Sequence, residues 1–195
     1  MGEKSAQKRQ YIVEKARAVF VEKGFRSVTM KDIVEACGIS RGGLYLYFDN
    51  TADIFKAVLQ QEAEESDDLF SKNVSEEATP ADIFVFFLKE QKKELLRKKD
   101  SLTVALYEFY FANKGVNKKD NDLKKQFNVA VKMMEKLITA CVQSGEFICD
   151  DPLGTARNIM FVVEGLKISA QTMGITEKMV DQEFVYILRG LGVEE

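Results

Sequence analysis

Residues 20–48 read FVEKGFRSVTMKDIVEACGISRGGLYLYF, and the fold turns on how this stretch is parsed. Thr29 can cap a helix with its hydroxyl, and Asp32, three positions on, completes a capping box. Met30, Ile33, Val34 and Cys37 then fall on one face of that helix. Ala36-Cys37-Gly38-Ile39 makes a tight turn, in which Gly38 permits a backbone angle other residues resist. Ser40 caps a second short helix, ending near Phe48. Ile39, Leu44 and Phe48 hold it to the body, which leaves Arg41, Gly42, Tyr45 and Tyr47 facing outward. Two short helices joined this way form a helix-turn-helix.

Outward from this motif the chain reads as all-α. A helix over about 6–23 precedes it, with Ile12, Ala16, Val19 and Phe20 on one face. Asn50 caps a further helix to about Phe70, with Asp53 at its third position, and residues 71–79 are a polar linker. Helices follow over about 80–98, 101–113, 122–144, 152–173 and 177–191, with a charged loop at Lys114–Asn121. Thr79-Pro80 and Asp151-Pro152 each look like a cap followed by a first-turn proline. Gly24, Gly38, Gly115, Gly145 and Gly174 each follow a helical pattern and suit a left-handed helix end. No run alternates strictly enough for a strand. The expected organisation is a three-helix helix-turn-helix domain (1–50), a connecting helix and linker (51–74), and a larger helical domain (75–195).

Composition narrows the function. The chain contains no histidine, so Ser-His-Asp and Cys-His chemistry are excluded, and no motif points to catalysis. Cys37, Cys141 and Cys149 match no zinc or disulfide spacing. They read as small buried apolar residues, with a redox-sensing pair at Cys141 and Cys149 as the other reading. No metal or cofactor is expected. No apolar run approaches the roughly 20 residues of a membrane span, and Met1–Arg9 lacks a signal peptide's apolar stretch, so a cytoplasmic protein is expected. The net charge of −3 is uneven: residues 1–50 hold nine Lys/Arg against six Asp/Glu, and the remainder 19 against 25. A basic head on an acidic body points to local contact with a polyanion.

The stretch resembles the DNA-binding domain of the TetR family of bacterial regulators. The resemblance rests on Phe20, Glu22, Gly24, Phe25, Thr29, Ile33, Ala36, Gly38, Ile39, Ser40, Gly42, Leu44, Tyr45, Tyr47 and Phe48, followed by Ile54. Looser echoes lie in Ser144-Gly145-Glu146-Phe147, with Asp150 and Pro152, and in Glu164-Gly165-Leu166. It implies that double-stranded DNA is read at Thr29, Ser40, Arg41, Gly42, Gly43, Tyr45, Tyr47 and Thr51. The chemistry agrees. A helix fits a major groove, where Arg41 can reach a guanine edge or a phosphate. The tyrosines offer a hydroxyl to a phosphate and a ring face to a thymine methyl, although Tyr45 can instead pack on the first helix. Thr29 presents a hydroxyl and helix-start amides to a phosphate. Two positions depart from the family: Gly43 stands where a small hydroxyl or amide residue is usual, and Thr51 where a lysine is. Gly42 and Gly43 each cost the helix roughly 1 kcal/mol relative to alanine. Either the helix orders on DNA, or its backbone lies close to the groove wall. Lys4, Lys8 and Arg9 can compensate along the DNA backbone.

One such helix reads too few bases to find a genomic site, so a two-fold dimer on a palindromic operator is expected. The helices over 152–173 and 177–191 are the candidate seam for this homodimer, unless their apolar faces pack within one subunit. Phe84, Phe87, Leu106, Tyr107, Tyr110, Phe111, Phe127, Met134, Met160 and Phe161 exceed what one buried face per helix needs. Ordinary core is one reading of them; a ligand pocket among bundle helices is the other, and the resemblance implies it. Glu108 is the only charge between Ser101 and Asn113. It is either paired within the subunit, in which case the effector is neutral or fatty, or free to meet a lipophilic cation. Glu164 carries the same alternative. The expected function is a repressor released by a small apolar or cationic effector. The alternatives are a regulator without a small ligand and a helical binding protein that has lost DNA affinity.

Overall fold

A computed structural model of the chain describes residues 2–75, 77–97, 100–112 and 122–193. The helices are α1 (Glu3–Ser27), α2 (Met30–Cys37), α3 (Arg41–Tyr45), α4 (Thr51–Asn73), α5 (Pro80–Leu96), α6 (Thr103–Ala112), α7 (Asp122–Gln143), α8 (Pro152–Thr172) and α9 (Glu177–Gly190). Among the described residues no strand occurs and no helix is long and apolar enough to cross a membrane. The charged loop read at Lys114–Asn121, with Gly115, lies outside the described residues.

The helices pack in two units, residues 1–73 with 99–116 and residues 74–98 with 117–195. In the first, α1 supplies Ile12, Ala16 and Phe20, α2 Ile33, α3 Leu44, and α4 Ile54 and Phe55, all fully buried. The rings of Phe20 and Phe55 meet edge-on with centroids 4.7 Å apart, and Phe109 of α6 stands 5.2 Å from Phe55. Helix α6, which the sequence groups with the larger helical domain, therefore packs in this unit through Leu102, Ala105 and Phe109. Arg17 ties the same body together, pairing with Glu62 at 2.6 Å and with Asp100.

Helix α1 runs past its expected end and is interrupted at Gly24 (φ 72, ψ 170). This backbone is one that a side chain resists, and there is no room for one. A Cβ on Gly24 would lie 2.5 Å from the Glu108 carboxylate. That carboxylate accepts the Arg26 backbone N–H at 3.0 Å.

The second unit comprises α5, α7, α8 and α9 around Phe84, Ile138, Cys141, Ala156, Val163, Val180 and Leu191. Thr79 and Asp82 form the capping box of α5, and Asp151 accepts the Gly154 N–H at 2.9 Å to start α8. Lys92 on α5 bridges Asp181 (2.6 Å) and Glu177 (2.8 Å) on α9. Cys141 is buried, and its desolvation pushes the thiol up to about 11. It is therefore protonated and unreactive at neutral pH, in keeping with the apolar reading.

Candidate nucleic-acid interface

The motif forms by short-range bonds. The Thr29 hydroxyl accepts the Asp32 N–H at 3.3 Å, and the Asp32 carboxylate accepts the Thr29 N–H at 2.8 Å. The Lys23 ammonium, 2.6 Å from Asp32, and the Thr29 bonds hold this carboxyl well below the usual carboxylate range. The Thr29 hydroxyl also donates to Asp32 at 2.6 Å, so it is already engaged. Gly38 ends α2 in the left-handed region (φ 61, ψ 35) and redirects the chain. The Ser40 hydroxyl then accepts the Gly43 N–H at 3.1 Å and starts α3.

Helix α3 is pinned by Leu44, fully buried, and by Phe48 just beyond it. Arg41, Gly42 and Tyr45 are exposed, and the Arg41 guanidinium lies 5.6 Å over the Tyr45 ring. No described carboxylate pairs with Arg41. Gly42 faces open space, whereas a Cβ on Gly43 would come 3.1 Å from the Ser40 hydroxyl. Tyr47 is half-buried and packs on the core of the unit. The sequence holds the packing alternative open for Tyr45; in the structure it is Tyr47 that packs on the core, and Tyr45 is left 41% exposed. Thr51 is half-buried at the first position of α4. Asn50 caps α4, its side-chain oxygen accepting the Asp53 N–H at 2.9 Å.

Sequence reasoning missed Leu46, which is 81% exposed between the two tyrosines. The signal was present: anchors at 44 and 48 are four apart, so position 46 must turn outward. A large apolar side chain there suits a thymine methyl.

An arginine and a tyrosine thus stand exposed on a pinned helix entered through a glycine turn, with an exposed leucine just past its end. Residues 12–58 match the family described as bacterial regulatory proteins, tetR family, and residues 83–181 match the tetracyclin repressor-like C-terminal domain. The HTH-type transcriptional regulator YfiR of Bacillus subtilis (strain 168) is 31% identical over 144 residues, 74% of this chain and 70% of that one. The chain belongs to the TetR family. The same fold extends over nearly all of the chain. A TetR transcription regulator from Haloarcula marismortui ATCC 43049 superposes with TM-score 0.81 at 18% identity, covering 95% of this chain and 98% of that one. A transcriptional regulator from Saccharomonospora viridis, in complex with choline, gives TM-score 0.80 at 17% identity over 94% and 96%. This TetR-family chain is thus a helix-turn-helix transcriptional regulator, and its relatives are regulators rather than enzymes.

The residues read as a ligand pocket fall in both units of the TetR-family fold. Leu106, Tyr107, Glu108, Tyr110 and Phe111 lie on α6. Leu106 and Tyr110 pack on the core of the first unit, and Phe111 is 59% exposed, its ring near that of Tyr107. Phe84, Met134 and Met160 are buried in the second unit, with Phe87 and Phe127 partly so. Phe161 is exposed but stacks near Phe127, centroids 5.0 Å apart. Glu164 pairs with Lys167 at 2.8 Å.

Proposed function

We propose that this chain is a repressor that binds a palindromic operator as a homodimer and is released by a small, largely apolar effector. One observation carries the reading: Arg41 and Tyr45 stand exposed on α3 and Leu46 just past it, while Leu44 and Phe48 fix the other side. Arg41 and Tyr45 read base edges and phosphates; Ser40 sets the start of the reading helix, and Gly42 and Gly43 let its backbone approach the groove. The start of α2, beside Thr29, and the start of α4, at Thr51, take phosphates. Tyr47 supports the reading helix from behind.

Two-fold pairing uses α8 and α9. Their outward apolar residues, Leu153 and Ile168 on α8 and Met179 and Tyr186 on α9, support that seam. The effector binds in the second unit beside the Phe127–Phe161 pair, with Met134, Met160, Phe84 and Phe87 lining the site. Choline occupies the Saccharomonospora protein; here Glu108 is bonded to the Arg26 amide and Glu164 to Lys167, which favours a neutral ligand. Release requires the effector to bind the non-DNA conformation more tightly than the DNA-bound one. Helix α4, which starts in the head and runs to Asn73, is the lever.

The test is operator binding by Arg41→Ala and Tyr45→Phe. Each loses about 1–3 kcal/mol of affinity for its best duplex, with an unchanged unfolding midpoint. Wild-type affinity in both variants removes α3 as the reader.

A further inference from the structure

The cations of α1 sort by face. Arg17 and Lys23 are ion-paired with carboxylates of the same unit. Lys4, Lys8 and Lys15 pair with none of the described carboxylates. Together with Tyr11 they recur at helical spacing and share one flank of the helix. Lys8 Nζ lies 5.0 Å and Lys15 Nζ 5.7 Å from the centre of the Tyr11 ring, which is 37% exposed. Glu14, on the neighbouring flank, accepts a hydrogen bond from Gln10 at 3.2 Å instead.

Helix α1 is tied to the chain on either side of α3. The Tyr11 hydroxyl donates to the Cys37 carbonyl at 3.2 Å, at the turn that leads into α3. The Arg9 guanidinium covers Phe48, just past α3, at 5.0 Å. Helix α1 rises about 16 Å from Lys4 to Lys15, enough to follow several phosphates along one strand.

We infer that the Lys4–Lys8–Tyr11–Lys15 flank of α1 is a second phosphate-binding surface, gripping the duplex backbone beside the groove that α3 enters. The inference rests on the reading of α3 as the base reader. Tyr11 is the hinge of the surface: its ring aligns two ammonium groups, and its hydroxyl locks them to the turn. The surface contributes affinity without base preference, because phosphates are the same at every step.

The test uses the full chain and a duplex that the wild type enriches from a random-sequence pool, titrated across a series of potassium chloride concentrations. The triple variant Lys4→Gln/Lys8→Gln/Lys15→Gln shows a log affinity versus log salt slope shallower by roughly 2 to 3, since each phosphate neutralised adds about 0.9. It enriches the same base sequence as the wild type. The charge-retaining triple Lys→Arg keeps the wild-type slope. Lys15→Gln alone, at an exposed position, shifts the slope by about 0.9 and serves should the triple variant not fold. An unchanged slope in folded Lys→Gln protein overturns the inference, and so does a slope that falls equally in the Lys→Arg protein. A wild type that binds no duplex at any salt sinks the base-reader assignment itself, which is a separate result.

Discussion

Helices α3 and α6 sit in the same packing unit with opposite compositions. Helix α3 buries only Leu44 and offers Arg41, Gly42 and Tyr45 to solvent, followed by Leu46. Helix α6 is apolar nearly throughout, yet it buries only Ala105 and Phe109, leaving Val104 45% and Phe111 59% exposed. Its one carboxylate, Glu108, is not left to solvent but accepts the Arg26 N–H. A polar side chain on an apolar helix is thus a structural bond here, while an apolar side chain at the end of a polar helix, Leu46, is free for contact. What matters is whether anchors are spaced so that they define the other side. In α3 they are, and in α6 every position competes for the core.

The comparison breaks most readily at Leu44 and Leu46. Leu44→Ala empties a fully buried site and costs about 2–5 kcal/mol of stability, read by chemical denaturation. Leu46→Ala stays within about 0.5 kcal/mol because its side chain is already in water. Comparable losses at both positions contradict the anchoring of α3.

Next in size is the Gly24–Glu108 contact. Gly24→Ala costs about 1–3 kcal/mol, from the positive φ and from the clash with the carboxylate. Glu108→Ala costs about 1 kcal/mol for the lost bond to Arg26. The double variant is less destabilised than the sum, because removing the carboxylate clears the new methyl group. Strict additivity in this cycle means that Glu108 does not sit over Gly24.

A pH series sharpens the account of the α2 start. Lys23 and Thr29 favour ionised Asp32, so its folded carboxyl titrates below its unfolded one. The stability this provides is complete above about pH 4 and drains away as the pH falls further. Asp32→Asn therefore flattens the acid limb of stability against pH, and an acid limb as steep as the wild type's rules the linkage out. A small effect is expected within α3. Gly42→Ala gains up to about 1 kcal/mol of helix propensity in open space. Gly43→Ala gains less, since its methyl group crowds the Ser40 hydroxyl that caps α3. Equal gains in thermal melts count against that cap.

Much of the head was legible because its bonds are local. The Thr29–Asp32 box, the Ser40 cap and the Asn50 cap each join residues three apart. Gly24, Gly38, Gly145 and Gly174, read as left-handed ends, all have positive φ. Less legible was the end of α3. The ordered helix stops at Tyr45, and the Tyr47 and Phe48 N–H groups both return to the Leu44 carbonyl, a tightened turn that sets Tyr47 against the core. Helix α1 begins at Glu3, before the expected start near residue 6, with no side-chain cap to mark it, and carries the Gly24 break within it, because the chain beyond continues to Ser27 before α2 is capped.

By itself the sequence determined the helical class, the turn that separates α2 from α3 and the outward placement of Arg41, Gly42 and Tyr45. Caps, glycine turns and spacings of three and four act over a few residues and need no distant partner. Only the tertiary structure decided that α6 packs on α1, that Tyr47 rather than Tyr45 leans on the core, and that Glu108 is engaged. The partner of Glu108 is a backbone N–H 82 residues away, which no periodicity encodes. For a helix apolar on every side, the choice of buried face is made by the neighbours that reach it.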